Sequence, residues 1–254
     1  MRLVSDLRHA MDAATFAREA LDIQPDGWQA DVLRSTSARM LLNCSRQSGK
    51  STTAAALAVH RAVFSPRSLV LLVSPSLRQS SEMYRRVRDL AGRMPSPPAM
   101  SEDTKTSATL TNGSRIVSLP SSEATIRGFS AADLIIEDEA SRVSDALYYA
   151  IRPMLATSDG QLILMSTPFG RRGHFSDAWH DGGDIWQRVE ITAADCPRIS
   201  PAFLEDERAS LGPWWYAQEY ECRFMESEDS VFRFEDIQAA LTDTIAPLFP
   251  AGAS

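Results

Sequence analysis

The chain of 254 residues is 44% hydrophobic and 23% charged, a composition that excludes an intrinsically disordered protein. Apolar runs such as Leu69–Val73 and Leu162–Met165 are far shorter than the roughly 20 residues of a membrane-spanning helix, so no membrane partner is expected. The N-terminus lacks the apolar core of a secretory signal, and the three cysteines are too widely spaced for a CxxC metal site. We therefore expect a cytoplasmic protein.

The net charge of −7 conceals a gradient along the chain. Residues 1–100 carry 14 basic and 8 acidic side chains, whereas residues 201–254 carry 3 and 11. The total excludes a strongly basic nucleic-acid binder but allows a local basic face in the first third. Only Lys50 and Lys105 are lysines among the 26 basic residues, so a lysine at position 50 calls for a specific explanation.

Apolar runs and helical periodicities alternate through a predicted core over residues 21–170, which follows an N-terminal helical segment over residues 1–20. Buried strands are predicted at Arg39–Cys44, Leu69–Ser74, Leu134–Ile136 and Leu162–Met165. Helices are predicted at Lys50–Phe64, Ser76–Ala91 and Ser144–Leu155. A Pro/Ser-rich break is expected over residues 94–101, and Asn112-Gly113 predicts a β-hairpin within Ala108–Leu119. Alternating strands and helices predict an α/β fold with a mainly parallel sheet flanked by helices on both faces.

The pattern changes after residue 170, where we expect a small helical lid or linker over residues 171–229. A helix is predicted at Phe175–His180, a strand at Trp186–Thr192, and two helices within Pro201–Met225 that separate near Gly212-Pro213. Residues 230–254 are expected to form a C-terminal tail, with a last helix at Phe232–Leu241.

The strongest motif is Cys44-Ser45-Arg46-Gln47-Ser48-Gly49-Lys50-Ser51, which we call the phosphate loop. It matches the second half of GxxxxGK[ST] and has cysteine in place of the first glycine. The loop lies between a predicted strand and a predicted helix, where backbone N–H groups can bind phosphate oxygens. Lys50 would reach the β- and γ-phosphates, and the Ser51 hydroxyl would bind Mg²⁺. The alternative is a strand–turn–helix connection with a chance Gly-Lys-Ser.

A second candidate group lies at the end of the predicted strand Leu134–Ile136. Acidic side chains at the carboxyl end of a parallel strand lie where open α/β sheets bind ligands. Asp138 would hold Mg²⁺ directly or through water, and Glu139 would orient and deprotonate the attacking water. Neighbouring acids can also be a solvated strand end, but their pairing with Lys50-Ser51 favours one nucleotide site.

These motifs together resemble the N-terminal packaging ATPase of the large terminase subunits of tailed double-stranded DNA phages. The segment Arg46–Ser51 is similar to the family's phosphate loop, and Pro25-Asp26-Gly27-Trp28-Gln29 resembles its adenine-contacting segment, with Gln29 as the base contact. Arg127-Gly128 resembles the arginine finger that acts on a neighbouring subunit's ATP. Ser166-Thr167-Pro168 resembles the coupling motif that links hydrolysis to motion. The resemblance covers about residues 20–225.

The resemblance implies a P-loop ATPase with ATP and Mg²⁺ as cofactors. The residues that would bind ATP are Gln29, Arg46, Gln47, Ser48, Gly49, Lys50, Ser51 and Thr52. Arg46 would stabilise the γ-phosphate in cis and Arg127 in trans, so the active form would be a homo-oligomeric ring. The alternative for each arginine is an exposed surface residue. Glu137, an extra acid, leaves the metal-side position open between residues 137 and 138.

The implied function is translocation of double-stranded viral DNA into a procapsid, in the cytoplasm of a bacterial host, with portal and small terminase subunits as partners. DNA contacts are predicted at Arg85 and Arg86, where a solvated helix face is an equal alternative, and at Arg171 and Arg172. Family members usually continue into a nuclease domain, and this chain ends at Ser254, so we expect no nuclease activity. A helicase-like ATPase and a non-hydrolysing ATP-binding assembly module remain the alternative functions.

Overall fold

The computed structural model describes residues 2–120 and 128–226. Its first two helices, α1 (Arg2–Met11) and α2 (Ala13–Ala20), lie in the predicted N-terminal helical segment, and α3 (Gly27–Arg34) follows them. The Asp12 carboxylate caps the N-terminus of α2, because it accepts a 2.9 Å hydrogen bond from the backbone N–H of Ala14. No helix in the described ranges is long and apolar enough to span a membrane.

An eight-stranded, mainly parallel sheet forms the centre of the molecule. Its strands are β1 (Arg39–Cys44), β2 (Leu69–Ser74), β3 (Met100–Asp103), β4 (Ser107–Leu110), β5 (Arg115–Pro120), β6 (Leu134–Asp138), β7 (Gln161–Ser166) and β8 (Gln187–Ile191). Their order across the sheet is β3-β4-β5-β2-β6-β7-β1-β8. Along this order, every neighbouring pair from β5 to β8 is parallel. The pairs β3–β4 and β4–β5, at one edge, are antiparallel. The prediction of a mainly parallel sheet is confirmed.

Helices cover both faces of this sheet. The remaining helices are α4 (Lys50–Phe64), α5 (Leu77–Arg93), α6 (Asp145–Ile151), α7 (Gly173–Asp181) and α8 (Pro201–Glu219). Successive strand residues point to opposite faces, so Leu72 packs in the cluster with α4 and α5, and Leu71 packs in the cluster with α6 and α7. This two-sided burial explains why the central strands are continuous apolar runs. The predicted two-sided α/β architecture is confirmed.

The hairpin predicted from Asn112-Gly113 is confirmed as β4 and β5. Gly113 has a φ of 85°, and the Asn112 side chain donates a 2.8 Å hydrogen bond to the Ala62 carbonyl oxygen at the end of α4. The sequence did not predict β3, since its residues fall at the end of the Pro/Ser-rich segment that was expected to be a break. Most residues of β3 are exposed at the sheet edge, so this strand has no buried apolar pattern to detect.

The described part of the predicted lid or linker segment (residues 171–229), which runs to residue 226, contributes to two layers. Helix α7 packs on the sheet through Phe175 and Ala178, and β8 extends the sheet beside β1. Helix α8 instead forms a small separate cluster, in which Tyr216 and Tyr220 stack with ring centroids 5.2 Å apart. The helix breaks at Gly212, with φ 75° and ψ 165°, so the predicted separation near Gly212-Pro213 is confirmed. The helix predicted at residues 232–241 and the tail lie outside the described residues.

Gly160, the residue before β7, allows its backbone to lie close to that of Ala132. A Cβ atom at this position would lie 2.0 Å from the carbonyl oxygen of Ala132. Because a backbone atom cannot easily move aside, we expect Gly160→Ala to lower the free energy of unfolding by about 1–3 kcal/mol in urea titrations. The control is Gly92→Ala in α5, where no atom lies within 4 Å and stability should rise by up to about 1 kcal/mol. Equal effects of the two substitutions would contradict the close approach.

Candidate active site

The phosphate loop joins the end of β1 to the start of α4. Gln47 (φ 62°) and Gly49 (φ 99°) adopt left-handed backbone conformations that turn the chain into the helix. A Cβ at Gly49 would also lie 2.6 Å from the amide nitrogen at the end of the Gln29 side chain, so Gln29 would have to shift. The helix that follows is 15 residues long, and its N-terminal N–H groups and dipole favour an anion. The loop therefore has the backbone geometry of an anion site.

Lys50 is the first residue of α4, and only 8% of it is exposed. Its ammonium donates a 3.5 Å hydrogen bond to the carbonyl oxygen of Cys44, the residue that ends β1. This bond is long for a charged donor, so a phosphate oxygen above the loop would be a better partner. Burial raises the pKa of the Cys44 thiol to about 12, which leaves this cysteine neutral beside the lysine.

Gln29 packs directly against the phosphate loop. Its side-chain oxygen accepts a 2.9 Å hydrogen bond from the Asp26 backbone N–H, which caps α3 and fixes the amide nitrogen toward Gly49. Arg198 completes this corner, because it pairs with the Asp26 carboxylate at 2.8 Å and donates a 2.8 Å bond to the Ser48 carbonyl oxygen. Sequence reasoning missed Arg198, which lies 150 residues from Ser48 and in no recognisable motif.

Glu137 and Asp138 point to opposite faces of the sheet at the end of β6. Burial, followed by repulsion from Glu139, raises the pKa of Asp138 to about 6, and the positive charge of Lys50 opposes that rise. The register of β6, β7 and β1 places the Asp138 carboxylate at the same edge of the sheet as the phosphate loop. Glu137 is fully buried, and its carboxylate lies 2.6 Å from His174 Nε2.

His174 connects Glu137 to a second carboxylate on the far face. Its Nδ1 lies 3.1 Å from Asp145, and its ring stacks on Tyr148 with centroids 4.4 Å apart. Burial lowers the pKa of His174, but the hydrogen bonds and negative charges of Glu137 and Asp145 together outweigh burial and raise it. Burial raises the pKa of Glu137. Glu137 is thus occupied by a buried contact on the face away from Lys50.

Glu139 lies on a strained turn directly after β6. Its φ of 55° and ψ of 41° are left-handed, a conformation that costs a non-glycine residue about 1–3 kcal/mol and is frequent at functional sites. Its backbone N–H donates a 3.0 Å hydrogen bond to the Asp138 carboxylate, which holds the two acids in a fixed relation. The Glu139 carboxylate lies 3.7 Å from Arg142 Nε.

The predicted coupling residues Ser166 and Thr167 are buried at the end of β7. The Ser141 hydroxyl lies 2.6 Å from the Ser166 hydroxyl and donates a 2.8 Å hydrogen bond to the Thr167 carbonyl oxygen. Ser141 is two residues after Glu139, so these bonds connect the acidic turn directly to the predicted coupling segment.

The predicted functional arginines occupy several different environments. Arg46 donates a 2.5 Å hydrogen bond to Glu219 at the end of α8. Arg86 donates a 3.0 Å bond to the Thr52 hydroxyl beside the phosphate loop, whereas Arg85 pairs with Glu82 at 2.6 Å. The Arg172 guanidinium lies 5.3 Å from the Phe169 ring centroid, in the loop segment that also contains Arg171. The predicted finger Arg127 lies outside the described residues.

The hard oxygen donors Ser51 and Asp138 are of the type that Mg²⁺ prefers, and a cation would offset the cost of burying the Asp138 carboxylate. Within residues 2–120 and 128–226, no group of three or more His, Cys, Asp or Glu side chains could hold a metal ion. A Mg²⁺ ion at this edge of the sheet would therefore need phosphate oxygens and water as further ligands.

A parallel sheet with a Gly-Lys-Ser loop after one strand and acids after another defines a P-loop α/β protein. The family model "Terminase large subunit, T4likevirus-type, N-terminal" matches residues 41–239. The chain belongs to this terminase family, and the resemblance found from its motifs is confirmed.

Known large terminases are similar over most of this chain. The subunit from Thermus phage G20c is 26% identical over 253 residues, covering 84% of this chain and 51% of the relative. The subunit from Escherichia phage T5 is 25% identical over 220 residues, covering 83% and 50%. The chain thus spans about half the length of these curated relatives.

Solved structures confirm the fold. The ATPase domain of the Thermus phage P74-26 large terminase has a TM-score of 0.69 at 21% identity, covering 81% of this chain and 96% of that domain. The large terminase of bacteriophage D6E in complex with ATP-γ-S has a TM-score of 0.64 at 12% identity, covering 86% and 52%.

The burial of Asp138 leads to a prediction about the stability of the fold. Since its pKa is raised in the folded state, the deprotonated carboxylate destabilises the fold at neutral pH, and this cost disappears as pH falls below the ordinary Asp value. We expect Asp138→Asn to raise the free energy of unfolding by about 1–3 kcal/mol at pH 7 without nucleotide or Mg²⁺, and to change it little near pH 4. Urea unfolding at both pH values checks this. An equal gain from the control Glu205→Gln, on the exposed surface of α8, would contradict it.

Proposed function

We propose that this chain is an ATP-hydrolysing motor domain that moves double-stranded viral DNA into a procapsid. The observation that carries the proposal is the placement of two groups at one edge of the parallel sheet: Lys50, which begins the helix after β1, and Asp138, which ends β6 and is followed by Glu139 on the next turn. Membership in the terminase family supports the motor function, and the hydrogen bonds from Ser141 to the coupling segment support a mechanical output from this site.

The phosphate loop and Gln29 would bind the nucleotide. Backbone N–H groups of Gln47, Ser48 and Gly49 would hold phosphate oxygens, with the Thr52 hydroxyl beside them, and Lys50 would bind the β- and γ-phosphates. Gln29 lies against Gly49 and would contact the adenine base. Ser51 and Asp138 would hold Mg²⁺, which supplies charge neutralisation at the phosphate oxygens. We assign the metal-side position to Asp138 because the Glu137 carboxylate is bound to His174 on the other face.

Hydrolysis would follow from the position of Glu139. Its carboxylate would accept a proton from water as the water oxygen bonds to the γ-phosphorus and the bond to the ADP oxygen breaks. Arg46 in cis and Arg127 from a neighbouring subunit would stabilise the charge that develops on the transferred phosphoryl group. The product is ADP with inorganic phosphate, and the loss of the γ-phosphate would be transmitted through Ser141 to Ser166 and Thr167.

Translocation would require partners beyond the described chain. A trans-acting Arg127 implies a homo-oligomeric ring in the host cytoplasm, joined to portal and small terminase subunits during packaging. The proposed DNA contacts are Arg85, Arg86, Arg171 and Arg172. Of these, Arg86 already donates a hydrogen bond to Thr52, which places it beside the nucleotide site. Arginine contacts to phosphates would suit a motor that moves every sequence.

Lysine substitution tests the phosphate loop. We expect Lys50→Ala to lower ATP turnover by at least about 100-fold, because it removes the charge at the β- and γ-phosphates. Phosphate release with Mg²⁺ and duplex DNA measures this. Lys105→Ala removes the only other lysine, in the exposed turn between β3 and β4, and should retain wild-type turnover. ATP binding without turnover in the wild type would instead identify a non-hydrolysing assembly module.

Dependence on protein concentration tests the arginine in trans. We expect ATP turnover per subunit to rise with protein concentration and Arg127→Ala to abolish that rise, with a loss of about 10³-fold or more at saturation. Arg18→Ala, on the exposed face of α2, serves as the control. If turnover per subunit does not depend on protein concentration and is the same in the wild type and in Arg127→Ala, Arg127 is a surface residue. Strand separation by the active oligomer would favour the helicase-like alternative.

A further inference from the structure

We infer that Glu219, at the end of lid helix α8, competes with the γ-phosphate of ATP for Arg46 and thereby links nucleotide binding to the lid. This inference rests on the proposed function, since it assumes that the phosphate loop binds ATP. It gives a regulatory role to a residue that no sequence motif marks.

The first contact joins the lid to the phosphate loop itself. Arg46 Nε donates a 2.5 Å hydrogen bond to the Glu219 carboxylate, and the Arg46 backbone N–H donates a 3.4 Å bond to the Glu219 carbonyl oxygen. The Glu219 side chain is only 9% exposed, whereas the Arg46 side chain is 60% exposed. The carboxylate is therefore fixed and desolvated, and the arginine retains room to turn toward a ligand.

The second contact joins the same lid carboxylate to the acidic turn. Arg142 Nη2 lies 3.9 Å from Glu219, and Arg142 Nε lies 3.7 Å from Glu139. The Arg142 guanidinium lies 4.0 Å from the Phe169 ring centroid, which holds it beside the coupling segment. One carboxylate of the lid thus lies between the phosphate-loop arginine and the arginine that contacts the proposed catalytic glutamate.

This arrangement allows Arg46 to leave Glu219 for the γ-phosphate at a low cost in free energy. A buried carboxylate that loses its cation is strongly destabilised, but Glu219 would keep Arg142 when Arg46 leaves. A γ-phosphate offers Arg46 a doubly charged acceptor with bidentate geometry, which a single Nε bond to Glu219 does not match. ATP would therefore break the side-chain contact between the lid and the phosphate loop. ADP has no γ-phosphate, so Arg46 would return to Glu219 after hydrolysis.

Competition by Glu219 lowers the affinity for ATP, so removing its charge should raise that affinity. We expect Glu219→Gln to tighten binding of ATPγS about five- to tenfold in Mg²⁺ buffer and to change ADP binding less than about twofold. The matched control is Glu221→Gln, which removes an equal charge two residues away, where the carboxylate pairs with Arg208 at 2.9 Å. Its affinities for both nucleotides should equal those of the wild type.

Arg46→Ala completes the test, because the gain must pass through this arginine. In the Arg46→Ala background, Glu219→Gln should give no increase in ATPγS affinity. A gain that persists there, or that is equal for ADP, would show simple charge repulsion and overturn the inference. An unchanged ATPγS affinity in folded Glu219→Gln would overturn it as well.

Two further results keep the inference separate from the function on which it rests. If Glu219→Gln fails to fold, Glu219→Asp withdraws the carboxylate by one methylene, and a gain of about twofold for ATPγS is expected. No gain in that variant would overturn the inference. If the wild type binds neither nucleotide, the proposed function itself falls, and this result is seen before any variant is compared.

Discussion

The register of three neighbouring parallel strands determines where every group of the active site lies. Asp138 on β6 pairs beside Met165 on β7, and Ser166 on β7 pairs beside Asn43 on β1. The ends of these strands are therefore level, so the acidic turn, the coupling segment and the phosphate loop start from one edge of the sheet. Since strand side chains alternate with a period of two, a slip of one residue in β6 would turn Glu137 toward Lys50 and Asp138 away from it.

Burial fixes this register from both faces. The apolar residues of β6 and β7 are almost completely excluded from solvent, and they belong alternately to the two hydrophobic clusters. Glu137 adds a polar constraint on the far face, because its carboxylate lies 2.6 Å from the imidazole of His174 on α7. A buried acid and imidazole contribute little net stability, but they specify which residue of β6 faces α7. The same constraint directs Asp138 toward the phosphate loop.

Much of the fold could be predicted because local signals agree. The bounds of β1, α4 and β2 coincide with the prediction, since buried apolar runs and an Ala-rich helix are separated there by glycine and serine. The edge strand β3 and the short helix α3 were not predicted. The residues of β3 are mostly exposed and show no apolar pattern. Helix α3 is fixed by a cap formed between Asp26 and Gln29.

The candidate site was predictable only where its chemistry lies in contiguous motifs. Lys50 begins the helix after the phosphate loop, Asp138 ends β6 and Glu139 follows it, so motif and topology together identify them. Arg198 and Glu219 reach the phosphate loop from distant segments, and long-range contacts of this kind leave no local pattern. Which side of the sheet Glu137 faces also depends on the register of β6. Three consecutive acids in the sequence do not show that register.

Binding of ATPγS with and without Mg²⁺ tests most directly whether these strand ends form one nucleotide site. We expect Mg²⁺ to tighten ATPγS binding by about tenfold or more in the wild type, and Asp138→Asn to lose that increment. Glu137→Gln should retain it, because position 137 faces His174. Loss of the Mg²⁺ increment in Glu137→Gln together with its retention in Asp138→Asn would contradict the placement of the two acids and the site built on it.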